Sequence, residues 1–125
     1  MDIEQNNRLI DDWITNQKTF WAWEKLHQIT DRSHDEAWLL VIEIAKRSDS
    51  EDVLGALAAG PMEDMLTAFG DYYYELILQA SSRCKNFKKA LLMGIRITGE
   101  GSEKVKELIA SIAKEAVREG WHPSL

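Results

Sequence analysis

Apolar residues recur at helical spacing along nearly the whole chain, and this periodicity limits the possible folds more than any other feature of the sequence. Proline occurs only at Pro61 and Pro123, and no run of Val, Ile, Thr or Tyr alternates with polar residues as a half-buried strand would require. We therefore expect an all-α fold, a compact stack of about seven or eight short antiparallel helices.

The length of the chain points to one domain. At 125 residues it is long enough for a hydrophobic core and too short for two ordinary domains, so we treat residues 1–125 as a single all-helical domain. Short helices with tight connections also fit a small superhelical array of the HEAT or armadillo kind, although no repeat of fixed period is visible.

Local signals divide the helical pattern into elements. The first two helices are expected from about Ile3 to Asn16 and from Lys18 to Ile29. Capping boxes at 33–36 (Ser-His-Asp-Glu) and 48–51 (Ser-Asp-Ser-Glu) predict the next two starts, because the first serine oxygen of such a box accepts an early backbone N–H. The helix that follows the first box is apolar on nearly every side, which is typical of a central helix.

The step Gly60-Pro61 predicts a tight corner between two helices. Glycine can adopt the left-handed conformation that closes a helix, and proline has a φ already suited to a first helical position. The two acidic residues that follow would then lie in a first turn, where carboxylates favour the positive end of the helix dipole. Gly70 is expected to close this short helix, and Asp71 to cap the next one.

Two features bear on the compartment of the protein. No apolar run approaches the roughly 20 residues needed to cross a bilayer, and the segment 1–5 is acidic and polar where a secretory signal would be basic and then apolar. The single cysteine, Cys84, cannot form an internal disulfide, which agrees with a reducing compartment. We expect a cytoplasmic protein that does not bind membranes.

Charge is distributed unevenly along the chain. Residues 1–82 carry 16 Asp and Glu against 6 Lys and Arg, whereas residues 83–125 carry 5 against 9. The acidic block repels phosphate backbones and attracts basic proteins, so we expect a basic protein partner and no nucleic acid. The sequence leaves open whether the basic last third folds back onto the acidic block, and whether the chain associates with itself.

Clustered aromatic residues are candidate contacts for such a partner. Phe20, Trp21 and Trp23 spread over about 300° of a helix, so they cannot all face one core. Either this helix is buried on several sides, or one indole lies at the surface and anchors a partner, as Trp often does in binding hot spots. The same reasoning applies to the three tyrosines at 72–74. The candidate partner-binding residues are Trp23, Glu24, Asp52, Glu63, Asp64, Asp71, Tyr72 and Tyr74.

Motifs for catalysis and for metal or cofactor binding are mostly missing. Glu24 and His27 have the Glu-x-x-His spacing that places two metal ligands on one helical face, but such sites need a second motif and further carboxylates. There is no Gly-rich phosphate loop and no nucleophile elbow. We expect no catalytic, cofactor-binding or metal-binding residues. An enzyme or metalloprotein that uses acidic residues and His27 is the alternative in a different class.

Three stretches, 20–24, 36–42 and 52–66, resemble a small bacterial all-helical family known only as a domain of unknown function. The resemblance covers about Ile14 to Leu92, and its most specific part is the string Leu-Ala-Ala-Gly-Pro-x-Glu-Asp-x-Leu. The C-terminal helix from Ser102 onward lies outside it. The resemblance implies an all-helical fold and a bacterial source, and it brings no activity with it.

Small acidic proteins of this kind are similar in size and charge to immunity proteins, which neutralise secreted or contact-dependent toxins. By this analogy we expect an immunity or inhibitor protein that binds a basic bacterial toxin domain, such as a nuclease, through an acidic and aromatic surface. A helical scaffold or adaptor that binds another host protein is an alternative that the sequence does not separate from the first.

Overall fold

A computed structural model describes residues 3–16, 20–93 and 102–120, and for Phe20 the backbone alone. Every element in these ranges is helical: α1 (Ile3–Thr15), α2 (Phe20–Arg32), α3 (His34–Arg47), α4 (Glu51–Leu57), a π-helical turn (Ala58–Met62), α5 (Glu63–Arg83), α6 (Lys85–Leu92) and α7 (Glu103–Arg118). The all-α fold is confirmed for these residues. Because the π-helical turn joins α4 to α5, they form six continuous helical segments, and the expected number of seven or eight is wrong.

The expected corner at Gly60-Pro61 is also wrong. Leu57 and Met62, at either end of the π-helical turn, have helical dihedral angles (φ −62°, ψ −43° and φ −65°, ψ −44°). Among the described glycines only Gly120 has a positive φ. Proline within an α-helix lacks an N–H donor, and its ring clashes with an earlier carbonyl. The wider π-helical turn accommodates Pro61, so the helix continues where the sequence predicted that it would end.

A second expected break, at Gly70 and Asp71, is only a kink. Helix α5 runs on to Arg83, and within it Phe69 alone leaves the helical region (φ −136°, ψ 31°). Asp71 therefore does not cap a helix. Gly70 is buried where α5 meets α7, and a Cβ atom there would lie 3.1 Å from the Cβ of Ser102. The small residue at position 70 therefore allows α5 and α7 to pack closely.

The predicted caps were partly right. Ser33 is the N-cap of α3, and its Oγ accepts a hydrogen bond from the Glu36 N–H at 3.3 Å. Ser48 does not cap α4: the N-cap residue is Ser50, whose side chain makes no capping bond, while the Ser48 Oγ accepts from the Ser50 N–H at 3.2 Å. Helix α2 ends at Arg32, three residues beyond the expected end, and the expected start at Lys18 lies outside the described residues.

Helix α3 is central, as its apolar sequence predicted. It packs against α1, α2 and α6, and most of its apolar side chains are buried, although Leu39 is 53% exposed. Its Trp38 ring lies between Tyr73 of α5, with centroids 5.5 Å apart, and Phe87 of α6, at 5.3 Å. Helix α5 in turn packs against α6 and α7. None of the helices in the described ranges is long and apolar enough to cross a membrane.

Candidate functional site

A groove of about 310 Å³ opens between α2 and the first turns of α5. Five of its lining residues lie on one face of α2, and the others come from the π-helical turn and α5: Trp23, Leu26, His27, Thr30, Asp31, Pro61, Asp64, Thr67, Ala68 and Phe69. We call this feature the α2–α5 groove. It forms because the α2 positions recur at steps of three and four residues, which brings them onto a single helical face.

Trp23 forms part of the rim of the α2–α5 groove. Its side chain is 44% exposed, and its ring lies nearly parallel to that of His27, with the centroids 6.2 Å apart. A Cβ atom at Gly60 would lie 3.5 Å from the indole nitrogen, so the π-helical turn borders the same ring. Trp21 is instead half-buried and donates its indole N–H to Asp12 of α1 at 2.7 Å. Of these two indoles, Trp23 is the one at the surface.

The floor of the groove is apolar and held by internal hydrogen bonds. Leu26 is fully buried, and its carbonyl accepts a hydrogen bond from the hydroxyl of buried Thr30 at 2.9 Å. The Thr30 carbonyl lies 3.1 Å from Nδ1 of His34, whose ring contacts that of Phe69 with centroids 4.0 Å apart. These contacts join α2, the start of α3 and α5 beside the groove.

The acidic side chains that line the groove are not balanced by basic ones. The lining includes the exposed carboxylates of Asp31 and Asp64 and no Lys or Arg. Neither carboxylate forms a salt bridge with another described residue. The surrounding sequence adds to the effect, because residues 48–82 contain seven Asp or Glu and no Lys or Arg. The groove therefore combines an aromatic rim, an apolar floor and a negative potential.

The groove brings together only two of the residues selected from the sequence, Trp23 and Asp64. Glu24 is exposed and Glu63 half-buried, and each is a sequence neighbour of one of these two but lies outside the lining. Asp52 is exposed in the first turn of α4. These three carboxylates add negative charge to this part of the chain without lining the groove.

The other three selected residues, Asp71, Tyr72 and Tyr74, make contacts within the chain. The Asp71 carboxylate accepts a hydrogen bond from the Ser102 hydroxyl at the start of α7. The ammonium group of Lys104, one turn into α7, lies 4.2 Å from the centroid of the half-buried Tyr74 ring. Two of the three therefore help to dock α7 onto α5.

An aromatic cluster of His34, Phe69, Tyr72 and Tyr73 adjoins the groove at Phe69. The Tyr72 hydroxyl donates to the Asp35 carboxylate, and this hydrogen bond raises the pKa of Tyr72 above its ordinary value. Next to it, Tyr73 is fully buried and donates to the His34 carbonyl at 3.1 Å. Burial is the main cause that raises the pKa of Tyr73, and the charges of Tyr72 and Asp35 act in the same direction. Both phenols are therefore held in the protonated form.

Comparison with known families accounts for most of the chain. A family of unknown function, DUF6869, matches residues 11–117. The chain belongs to DUF6869. The match confirms a domain of unknown function, and it extends past Leu92 to include nearly all of α7, which the resemblance read from the sequence did not cover. No curated protein and no solved structure matches the chain.

Every residue that lines the α2–α5 groove lies within the part of the chain that DUF6869 covers. Sequence reasoning missed His27, Asp31 and Phe69 as groove residues. A signal for the first two was present, since Trp23, His27 and Asp31 follow one another at intervals of four and so share a helical face. Phe69 carried no such signal, because it comes from a helix that lies far away in the sequence.

The Glu-x-x-His pattern at Glu24 and His27 does not extend into a larger set of ligands within the described part of this DUF6869 member. No group of three or more His, Cys, Asp or Glu that could hold a metal ion is found among residues 3–16, 20–93 and 102–120. His27 instead stacks against Trp23 in the groove wall. What the lining offers chemically is an aromatic face beside two carboxylates.

Proposed function

We propose that the chain is an immunity or inhibitor protein that binds a basic protein partner, in particular a toxin domain, at the α2–α5 groove. One observation carries the proposal. The groove places an exposed indole, Trp23, in one concave surface with two carboxylates, Asp31 and Asp64, and no cation in its lining. Lys and Arg side chains of a partner fit this combination best.

The groove would contact both parts of a long cationic side chain, its apolar stem and its charged head. The aliphatic stem of Lys or Arg would cover the apolar floor around Leu26, and the charged head would reach the carboxylates at the edge. A guanidinium can in addition stack on an indole face, an interaction worth about 0.5–2 kcal/mol depending on how far the pair is desolvated. Arginine is therefore the expected anchor of the partner.

The carboxylates outside the lining would act at longer range. Glu24, Asp52 and Glu63 lie in the same acidic part of the chain, and an acidic surface speeds the encounter with a basic protein. This steering weakens as salt screens the charges, because the Debye length falls to about 8 Å at physiological ionic strength. Association faster at low salt than at high salt is thus expected.

The first experiment is affinity purification of the tagged chain from cells that produce it, at low and at high salt, followed by kinetic measurements on the purified pair. Replacing Trp23 by Ala should weaken binding by at least about 30-fold, the effect of an interface hot spot. Asp31→Asn with Asp64→Asn should slow association and speed dissociation. The matched control, Asp52→Asn with Glu75→Gln, removes the same charge outside the groove and should change the association rate alone.

Three results would contradict the proposal. A partner that associates equally fast at low and high salt would exclude steering by charge. A control variant that loses as much affinity as the groove variant would exclude the groove as the contact. A partner whose own activity is unchanged in the complex would favour the adaptor alternative over the inhibitor.

A further inference from the structure

The α2–α5 groove is smaller than the surface that a stable protein complex needs. Its volume of about 310 Å³ lies at the lower end of the range for sites that take one small ligand. Specific protein–protein interfaces, in contrast, bury about 800 Å² of each partner. A protein bound at the groove therefore also contacts surface outside it.

An exposed tyrosine lies on the surface that adjoins the groove. The ring of Phe69, in the groove lining, has its centroid 4.0 Å from that of His34, and the His34 centroid lies 5.2 Å from that of Tyr72. Tyr72 is 51% exposed. Of the Trp, Tyr and Phe side chains that the structure describes, only Trp23 and Tyr72 are exposed. Both exposed rings therefore lie at or beside the same groove.

Two half-buried rings show how aromatic side chains of this protein meet cations. The guanidinium carbon of Arg8 lies 5.0 Å from the ring centroid of Trp21. The ammonium nitrogen of Lys104 lies 4.2 Å from the ring centroid of Tyr74. Trp21 and Tyr74 are each two residues from one of the exposed rings, so they face a different side of their helix. No Lys or Arg among the described residues lies over the exposed rings, which can therefore take cations from another molecule.

A carboxylate lies beside the exposed ring of Tyr72. Asp35, itself exposed, accepts a hydrogen bond from the Tyr72 hydroxyl. A carboxylate has about four acceptor positions, so this hydrogen bond leaves others for a cation. Asp35 forms no salt bridge with any residue in the described ranges, and Arg32, three residues earlier, pairs with Glu36 at 3.3 Å. Tyr72 and Asp35 therefore offer a partner the same combination of ring and carboxylate as the groove.

We infer that the basic partner carries two arginines about 12 Å apart, one bound in the α2–α5 groove and one on the ring of Tyr72 beside Asp35. The distance follows from α5, where Asp64 and Tyr72 are eight positions apart, at about 1.5 Å per residue. In an extended segment of the partner, at about 3.3 Å per residue, two arginines four positions apart span this distance. The second contact rests on the proposed function, since it takes a basic partner at the groove as given.

Two arginines in one segment make the second contact more favourable than the first. Once one arginine is bound, the other is present at a high effective concentration, so the pair binds more tightly than either arginine alone. This gain is lost when the spacing is wrong, because both places cannot then be filled at once. Binding should therefore depend on the spacing of the arginines as well as on their number.

NMR titration of the intact chain at low salt with four short peptides, capped at both ends, tests this inference. The spaced peptide is Arg-Gly-Ser-Gly-Arg, and the adjacent peptide, Arg-Arg-Gly-Ser-Gly, has the same charge. Two single peptides carry Gln in place of one arginine of the spaced peptide. The spaced peptide should bind at least about tenfold more tightly than either single peptide, and at least about threefold more tightly than the adjacent peptide.

Substitutions at the second contact show whether it provides this advantage. Asp35→Asn and Tyr72→Leu should each lower the affinity of the spaced peptide to that of the single peptides, while binding of the single peptides changes less than about twofold. Tyr72→Phe, which keeps the ring, should keep most of the advantage. The matched control is Asp52→Asn, which removes a carboxylate from the first turn of α4 as Asp35→Asn does from that of α3, and it should keep the advantage in full.

The outcomes separate this inference from the proposed function. Equal binding of the spaced and adjacent peptides would overturn the inference, because charge alone would then decide affinity. Equal binding of the spaced and single peptides would overturn it and leave a single cation site in the groove. An advantage that survives both Asp35→Asn and Tyr72→Leu would place the second arginine elsewhere and also overturn it. If none of the four peptides binds, the proposed function fails together with the inference.

Discussion

The two ends of α5 carry surfaces of opposite character. At its start the helix lines the α2–α5 groove, where Asp31 and Asp64 lie beside an exposed indole. Roughly 25 Å further along, at about 1.5 Å per residue, its last turn and the neighbouring α6 line a second groove, the α5–α6 groove, which includes Arg83, Lys85, Lys88 and Lys89. One helix therefore separates an acidic, aromatic groove from a basic one.

This separation is a property of the sequence that folding does little to cancel. Residues 48–82 have no Lys or Arg, whereas residues 83–89 have four and no Asp or Glu. The salt bridge between Lys89 and Glu51 joins the two regions at 3.4 Å, but Glu51 is largely exposed, and exposed pairs contribute only about 0–1 kcal/mol. The folded chain therefore keeps the two oppositely charged regions largely separate.

The largest expected effect tests whether the two grooves share one core. Phe87 is fully buried and contacts Trp38, which also stacks on Tyr73. Phe87→Ala should lower the free energy of unfolding by about 3–5 kcal/mol, because it leaves a cavity in that shared layer. Urea unfolding followed by circular dichroism and by labelling of Cys84 should show one common transition. Two separate transitions would show that the grooves belong to independently folding units.

The next effect concerns the contact between α5 and α7 at Gly70. In Gly70→Ala the new methyl would lie 3.1 Å from the Ser102 Cβ and 3.2 Å from the Val105 Cγ2. Overpacking of this kind should cost about 1–3 kcal/mol in the free energy of unfolding. A rise in stability, as for an ordinary helical Gly→Ala change, would contradict the close packing.

The buried phenol between the two grooves predicts a dependence on alkaline pH. The native pKa of Tyr73 is raised by burial above the value near 10 expected in the unfolded chain. Above about pH 10 the unfolded state loses this proton while the native state keeps it, so stability is full below pH 10 and falls above it by up to about 1.4 kcal/mol per pH unit. Urea unfolding between pH 8 and pH 11 should show this fall.

Two phenylalanine variants test whether Tyr73 causes this fall in stability above pH 10. Tyr73→Phe should remove most of the slope, and Tyr74→Phe, at the half-buried neighbour, should keep it. Equal slopes in the two variants would mean that other groups titrate and that Tyr73 is not the cause.

The smallest effect concerns the start of α5. Gly60 lies in the π-helical turn without a positive φ, and a Cβ there would lie at an ordinary contact distance, 3.5 Å, from the Trp23 indole nitrogen. Gly60→Ala should therefore raise the free energy of unfolding by about 0.5–1 kcal/mol, because alanine loses less backbone entropy on folding. Thermal unfolding measures the change. A loss of stability like that of Gly70→Ala would show that the two glycines are packed equally tightly.

The local parts of the fold could be predicted from the sequence, and the contacts between distant segments could not. The Ser33 cap and the central position of α3 followed from residues close together in the chain. The break expected at Gly70 is a kink at Phe69 within α5, and the need for a small residue at Gly70 arises from the contact with α7, which lies far away in the sequence. The same limit applies to the Gly60-Pro61 step, where the π-helical turn replaced the expected corner.

The candidate site was predictable to a similar extent. Trp23 and Asp64, two of the partner contacts proposed from the sequence, both line the groove, since an exposed aromatic residue and an acidic first turn are visible in the sequence. Asp71 and Tyr74 were selected on the same grounds, yet their side chains contact α7. A single sequence shows which residues are able to bind a partner, and only the fold shows which are already occupied.

The π-helical turn at Ala58–Met62 also sets the rotational phase of the long helical segment. An α-helix turns about 100° with each residue, and a π-helical turn holds about one residue more than an α-helical one. Before it, Leu54 and Leu57 face the core; after it, Asp64 faces solvent and Met65 is buried. Deleting one residue from the turn would rotate the whole of α5 by about 100° relative to α4. The length of this turn, more than the chemistry of its side chains, decides which residue of α5 faces the groove.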